Sequence, residues 1–110
     1  MAERVLPRVT GTWGAVAVAT PGTAVQLSTT DLWVTKLAFQ PGKVTGANTG
    51  NVYLGGSDVD KTSNRCIQIA NSVALTEFPT SGSLNLAELY VDADTAADGL
   101  RIYYEKGGVQ

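Results

Sequence analysis

The sequence predicts an all-β fold, a jelly-roll-like antiparallel β-sandwich of about eight short strands, preceded by an extended N-terminal arm. Three observations predict it. Apolar and β-branched residues recur at every second position in short runs, the pattern of a strand with one face buried. Those runs are separated by Gly paired with Pro, Asn or Asp, at spacings of roughly 8–12 residues, as in sandwiches and barrels. The chain has 110 residues with 44% hydrophobic and 16% charged, enough for one domain with a core that needs neither disulfide nor metal.

Residues 1–12 form the arm and residues 13–110 the single domain. In the arm, Arg4 and Arg8 flank Val5, Leu6 and Pro7. Such a segment has too little apolar surface to order alone, and it either frays or docks on a neighbour. Val16 and Val18 alternate with alanines, then Pro21-Gly22 turns the chain. Val25 and Leu27 follow, and next comes a longer run in which Trp33, Leu37 and Phe39 share one face. Pro41-Gly42 and the stretch Gly46–Asn51 break it. Val52 and Leu54 flank Tyr53 before the turn Gly55–Asp58, and Ile67 and Ile69 flank Gln68. Val73 and Leu75 alternate with Ala74 and Thr76, ahead of Pro79–Gly82. Between Ser83 and Val91, Leu86, Leu89 and Tyr90 stand at helical spacing, so this stretch is either one short helical turn or a strand entry. Leu89 and Val91 flank Tyr90, Asp98-Gly99 forms a turn, and Leu100, Ile102 and Tyr104 alternate in a final strand. Strand count does not fix topology, and an immunoglobulin-like order stays open beside the jelly roll.

Composition excludes much chemistry. There is no histidine, which removes the commonest general base, metal ligand and partner of a Ser or Cys nucleophile. No enzyme activity and no cofactor are expected. The single cysteine, Cys66, cannot form an internal bridge. Beside Arg65 it is either a thiol of lowered pKa or a small buried apolar residue. Three carboxylates cluster in Asp92-Ala-Asp-Thr-Ala-Ala-Asp-Gly99. Asp92 and Asp94 fit the first positions of a calcium loop, but Ala96, Ala97 and Tyr103 fail its later ones. Asp92, Asp94 and Asp98 are therefore candidate metal ligands weighed against an ordinary acidic turn. Asp58, Asp60, Glu77 and Glu88 supply carboxylates for glycoside hydrolysis, but sequence does not set any pair at the needed separation. No glycine string matches a phosphate loop.

A net charge of −2 gives no pull toward polyanions, so nucleic acid is not an expected partner. No apolar run approaches the roughly 20 residues that span a bilayer, and Met1–Arg8 has no apolar leader core. Synthesis in a cytoplasm and no membrane partner are expected. Tyr53, Tyr90 and Tyr103 fall opposite the core positions of their strands, where aromatics pair across strands or contact other molecules. The candidate interface residues are Arg4, Val5, Leu6, Arg8, Trp13, Tyr53 and Tyr90.

Two segments carry a resemblance: Asn48-Thr-Gly-Asn-Val-Tyr-Leu-Gly-Gly-Ser-Asp-Val59, and Leu86-Ala-Glu-Leu-Tyr-Val-Asp-Ala-Asp-Thr-Ala-Ala-Asp-Gly-Leu-Arg-Ile-Tyr-Tyr104. They resemble small β-sandwich virion proteins of tailed double-stranded DNA bacteriophages. In those, an Asn-Thr-Gly-Asn-Val-Tyr-like strand precedes a Gly-rich turn, and a Leu-x-x-Leu-Tyr-Val strand, an acidic Gly loop and a last strand close the domain. The resemblance covers the second half of the chain and implies a capsid decoration, or cement, protein. It would sit on the outer capsid surface of the virion as a dimer or trimer and staple neighbouring copies of the major capsid protein. A carbohydrate- or receptor-binding module of a head fibre or tail is the alternative.

Overall fold

A computed structural model describes residues 11–60, 65–78 and 82–106. Arm residues Arg4, Val5, Leu6 and Arg8 lie outside the described residues.

The described chain forms nine strands: β1 (Gly11–Ala17), β2 (Val25–Gln26), β3 (Trp33–Pro41), β4 (Val52–Gly55), β5 (Ile67–Ile69), β6 (Thr76–Phe78), β7 (Leu84–Asn85), β8 (Tyr90–Ala93) and β9 (Gly99–Lys106). One 3-10 turn, Leu86–Glu88, separates β7 from β8. β1 begins at Gly11, so the last two residues assigned to the arm belong to the sheet.

Two antiparallel sheets make a sandwich. The first runs β1-β9-β3-β6, with β7 on the same side of β3 as β6, and the second runs β2-β8-β4-β5. Because β6 and β7 share one edge of β3, nine strands fill eight positions. The pairs β4–β5, β3–β6, β2–β8 and β1–β9 nest one inside the next, as in one long hairpin. That hairpin is then rolled so that β9 also pairs β3 and β8 also pairs β4.

The core follows the alternation. Val34, Leu37 and Phe39 of β3 and Leu100 and Ile102 of β9 point inward from the first sheet. Val52 and Leu54 of β4, Ile69 of β5, and Val91 and Ala93 of β8 meet them from the second, while Val18, Leu27 and Leu86 close the ends. Each inward residue removes its apolar surface from water, the main favourable term in folding.

Two sequence expectations fail for local reasons. Trp33 does not share the face of Leu37 and Phe39. β9 meets Val34 at Lys106 and Lys36 at Glu105, so Thr35 is an extra residue on β3. This bulge reverses the alternation. Val34 is buried and Trp33 is 55% exposed. The expected strand around Val73–Leu75 is a loop, and pairing with β3 starts at Thr76. Phe78, opposite Leu37, packs on the core and Leu75 stays exposed. Between Ser83 and Val91 both expectations hold in part. Asn85 ends β7 and its side-chain oxygen accepts the Ala87 N–H at 3.1 Å and the Leu32 N–H at 3.0 Å, capping the 3-10 turn.

Candidate interaction surface

The motifs of the second half interlock. Asn48 is buried, and its amide grips Gly99 in both directions. Nδ2 donates to the Gly99 carbonyl at 2.8 Å and Oδ1 accepts the Gly99 N–H at 2.9 Å. The neighbouring Asp98 side chain has no exposed surface. It accepts the Thr49 N–H at 3.0 and 3.1 Å and the Gly50 N–H at 2.8 Å, and Lys43 Nζ lies 3.9 Å away. A buried carboxylate persists only where such donors replace water. Gly99 is glycine because a Cβ there would collide with the Val16 carbonyl of β1. The turn residue in the left-handed region is Ala97, at φ 73°, rather than the expected Asp98-Gly99.

This geometry assigns the three candidate metal ligands to separate structural tasks. Asp98 holds the 48–50 loop. Asp92 is buried on the second sheet, and its Oδ1 accepts the N–H groups of Gly22 at 2.9 Å and Ala93 at 2.8 Å. Asp94 Oδ2 accepts the Tyr53 hydroxyl at 2.8 Å. No group of three metal-ligating side chains occurs among the described residues.

Tyr53, read from sequence as an exposed contact residue, is 6% exposed. Its side chain does stand on the outward side of β4, opposite Asp92 and Gln68. Its hydroxyl donates to Asp94, and Gly22, in the loop after β1, bonds to the neighbouring Asp92. Tyr90 is half-buried beside Gln26 and Gly55. The two tyrosines therefore do not form one exposed patch.

The exposed aromatic surface lies on the outer side of the first sheet. There Trp13 of β1 faces Tyr103 of β9, with Ala38 of β3 and Glu77 of β6 next in line. Trp13 is 63% exposed and its ring centroid lies 4.9 Å from that of Tyr103. Tyr103 leans over Gly11, where any Cβ would strike its ring. The hydroxyl donates to Glu105 Oε2 at 2.6 Å, and this bond holds the phenol pKa above its ordinary 10.0. Sequence placed Tyr103 outward but gave no sign of the glycine beneath it. One row further, Arg101 crosses Gly42 and donates to the carbonyls of Lys43 at 3.1 Å and Gly46 at 2.6 Å, so its charge is tied to a loop.

A depression of about 410 Å³ opens between the sheets at the β5–β6 side. Leu54, Ile67, Phe78 and Leu89 line it, together with the half-buried Cys66. It is mainly apolar, and the described residues that line it form no convergent set of groups that could move a proton or bind an oxyanion. Arg65 at its rim pairs with Asp58 and Asp60, both at 3.3 Å. No family model, curated protein or solved structure matches this chain.

Proposed function

We propose that this chain is a capsid decoration protein of a tailed double-stranded DNA bacteriophage, folded as a jelly roll. Its place is the outer capsid surface of the virion, where it staples neighbouring major capsid subunits and resists internal DNA pressure. The nested strand order supports the jelly-roll reading. The resemblance carried by Asn48–Val59 and Leu86–Tyr104 supports the family reading. Those segments meet in the Asn48–Gly99 and Asp98–Gly50 contacts, so their part in this fold is a scaffold.

The observation that carries the functional reading is the outward face of the first sheet. Trp13 and Tyr103 present a tilted aromatic pair, its ring centroids 4.9 Å apart, beside Gly11, where the basic-apolar arm joins the fold. Aromatic side chains are the usual anchors of protein interfaces, because they bury much area at little entropic cost. Small contacts of this kind become strong when shell symmetry repeats them and when a homo-oligomer, dimer or trimer, engages several subunits at once.

Heads prepared without this protein are the test. They should lose resistance to heat and to chelators, and regain it when the purified chain is added. Heads of unchanged stability, with no copies on wild-type particles, would refute the proposal. A carbohydrate-binding module of a head fibre or tail is the second reading, favoured by the exposure of Trp13. It predicts glycan-array binding that Trp13→Ala abolishes.

A further inference from the structure

β1 is the one long free edge among the described strands. β2, β5, β6 and β7 have two or three residues each, whereas β1 has seven. It ends the order β1-β9-β3-β6. Long edges normally carry a lysine, a proline or a bulge, because bare backbone N–H and C=O groups pair with any passing strand. Gly-Thr-Trp-Gly-Ala-Val-Ala has none of these. Its register with β9 is continuous from Gly11↔Glu105 to Ala17↔Gly99.

The hydrogen-bond phase of that edge follows from its neighbours. The Gly99 carbonyl accepts the Gly42 N–H from the β3 side at 3.1 Å. Pro41, opposite Leu100, has no N–H to give. Odd-numbered residues of β9 therefore bond to β3, and even-numbered ones bond to β1. The Val18 N–H, donated to the Asp98 carbonyl at 2.9 Å, continues the same phase. Thr12, Gly14 and Val16 thus spend their backbone groups on β9. Gly11, Trp13, Ala15 and Ala17 aim theirs away from the sheet.

We propose that this edge pairs with the same edge of a second copy, antiparallel about a two-fold axis through Gly14. That register sets Trp13 against Ala15 of the second copy and Gly11 against its Ala17. All four outward residues then donate and accept across the interface. The same register sets Thr12 against Val16 on the core side, so faces match throughout. The small Ala15 leaves room for the opposing indole, whereas a slip by two residues would set Trp13 against Trp13. The result is an isologous dimer with a continuous sheet and a shared row of Trp13 and Tyr103 on its outside. This pairing is independent of the shell reading.

Sedimentation of the full chain, with amide hydrogen exchange followed over a concentration series, tests it. The chain should be dimeric. The amides of residues 13, 15 and 17 should gain protection as dimer forms, while those of 12, 14 and 16 stay protected at every concentration. Ala15→Pro removes one outward N–H that no described residue accepts, and it should weaken dimerisation about tenfold or more while leaving the melting temperature of the dilute, monomeric protein unchanged. Ala15→Lys leaves every backbone group intact and should give the same loss. A monomer at all concentrations would overturn the proposal. So would a dimer whose odd-numbered amides exchange freely, or a trimer, whose edge would have to be covered by something other than its own copy.

Discussion

Asp98→Ala should be the most destabilising of the three carboxylate substitutions in the 92–98 segment. The Asp98 side chain is fully buried and takes the N–H groups of Thr49 and Gly50 at 2.8–3.1 Å. Its removal orphans both donors at about 1–3 kcal/mol each. Relief of the buried charge offsets part of this, because a desolvated carboxylate is itself costly. The net loss is about 3 kcal/mol, and at this chain length each kcal/mol moves the melting temperature by about 4 °C. Thermal unfolding followed by circular dichroism should therefore show Asp98→Ala melting roughly 10 °C below the parent. Asp94→Ala loses an exposed acceptor for one tyrosine hydroxyl and should cost about 1 kcal/mol. Millimolar calcium should shift neither the parent nor the variants. An Asp98→Ala protein that melts with the parent would show that Asp98 does not hold the 48–50 loop. A calcium-dependent rise in the parent that all three carboxylate variants lose would refute the assignment of these carboxylates to structural tasks.

Ala97 has φ 73°, so Ala97→Gly should stabilise the fold by about 1 kcal/mol in denaturant titration. Gly99→Ala drives a Cβ into the Val16 carbonyl, a backbone atom that cannot swing aside, and should cost about 3 kcal/mol or prevent folding. Gly11→Ala displaces only the end of the Tyr103 side chain, so it should leave the melting temperature nearly unchanged while altering Trp13 fluorescence. The Tyr103 phenol must stay protonated to donate to Glu105, and its raised pKa makes that contact present at neutral pH and lost only as pH climbs past 10.0. Ultraviolet titration should show this tyrosine ionising late, and Glu105→Gln should bring it back down.

Alternation made the inward-facing residues readable from the sequence. Val52 and Leu54, Ile102 and Leu100, and Val91 each lie where period two puts them. Trp33 was not readable, because one extra residue at Thr35 reverses the face and no glycine or proline marks the bulge. Tyr53 was readable as outward but not as covered, since its hydroxyl bonds to Asp94, 41 residues away in sequence. The acidic segment looked like a weak cation loop because ligand spacing is local. What employs its carboxylates is non-local: Asp98 meets Thr49 and Asp92 meets Gly22. For the same reason Asn48 stood out as part of a turn and of the resembling segment but not as the residue whose side chain holds the start of β9.

The fold's free surfaces divide by strand length. β5 and β6 are too short to template another strand, whereas β1 offers a seven-residue edge without a bulge next to the Trp13–Tyr103 pair. The proposed decoration role is best tested in the assembly it names. Electron microscopy of native phage particles measures this most directly. A decoration protein should give density on the outside of the shell, bridging major capsid subunits, with Trp13 at a contact. Particles that lack the chain, or that carry it with the outer side of the first sheet and the β1 edge both facing solvent, would contradict that role.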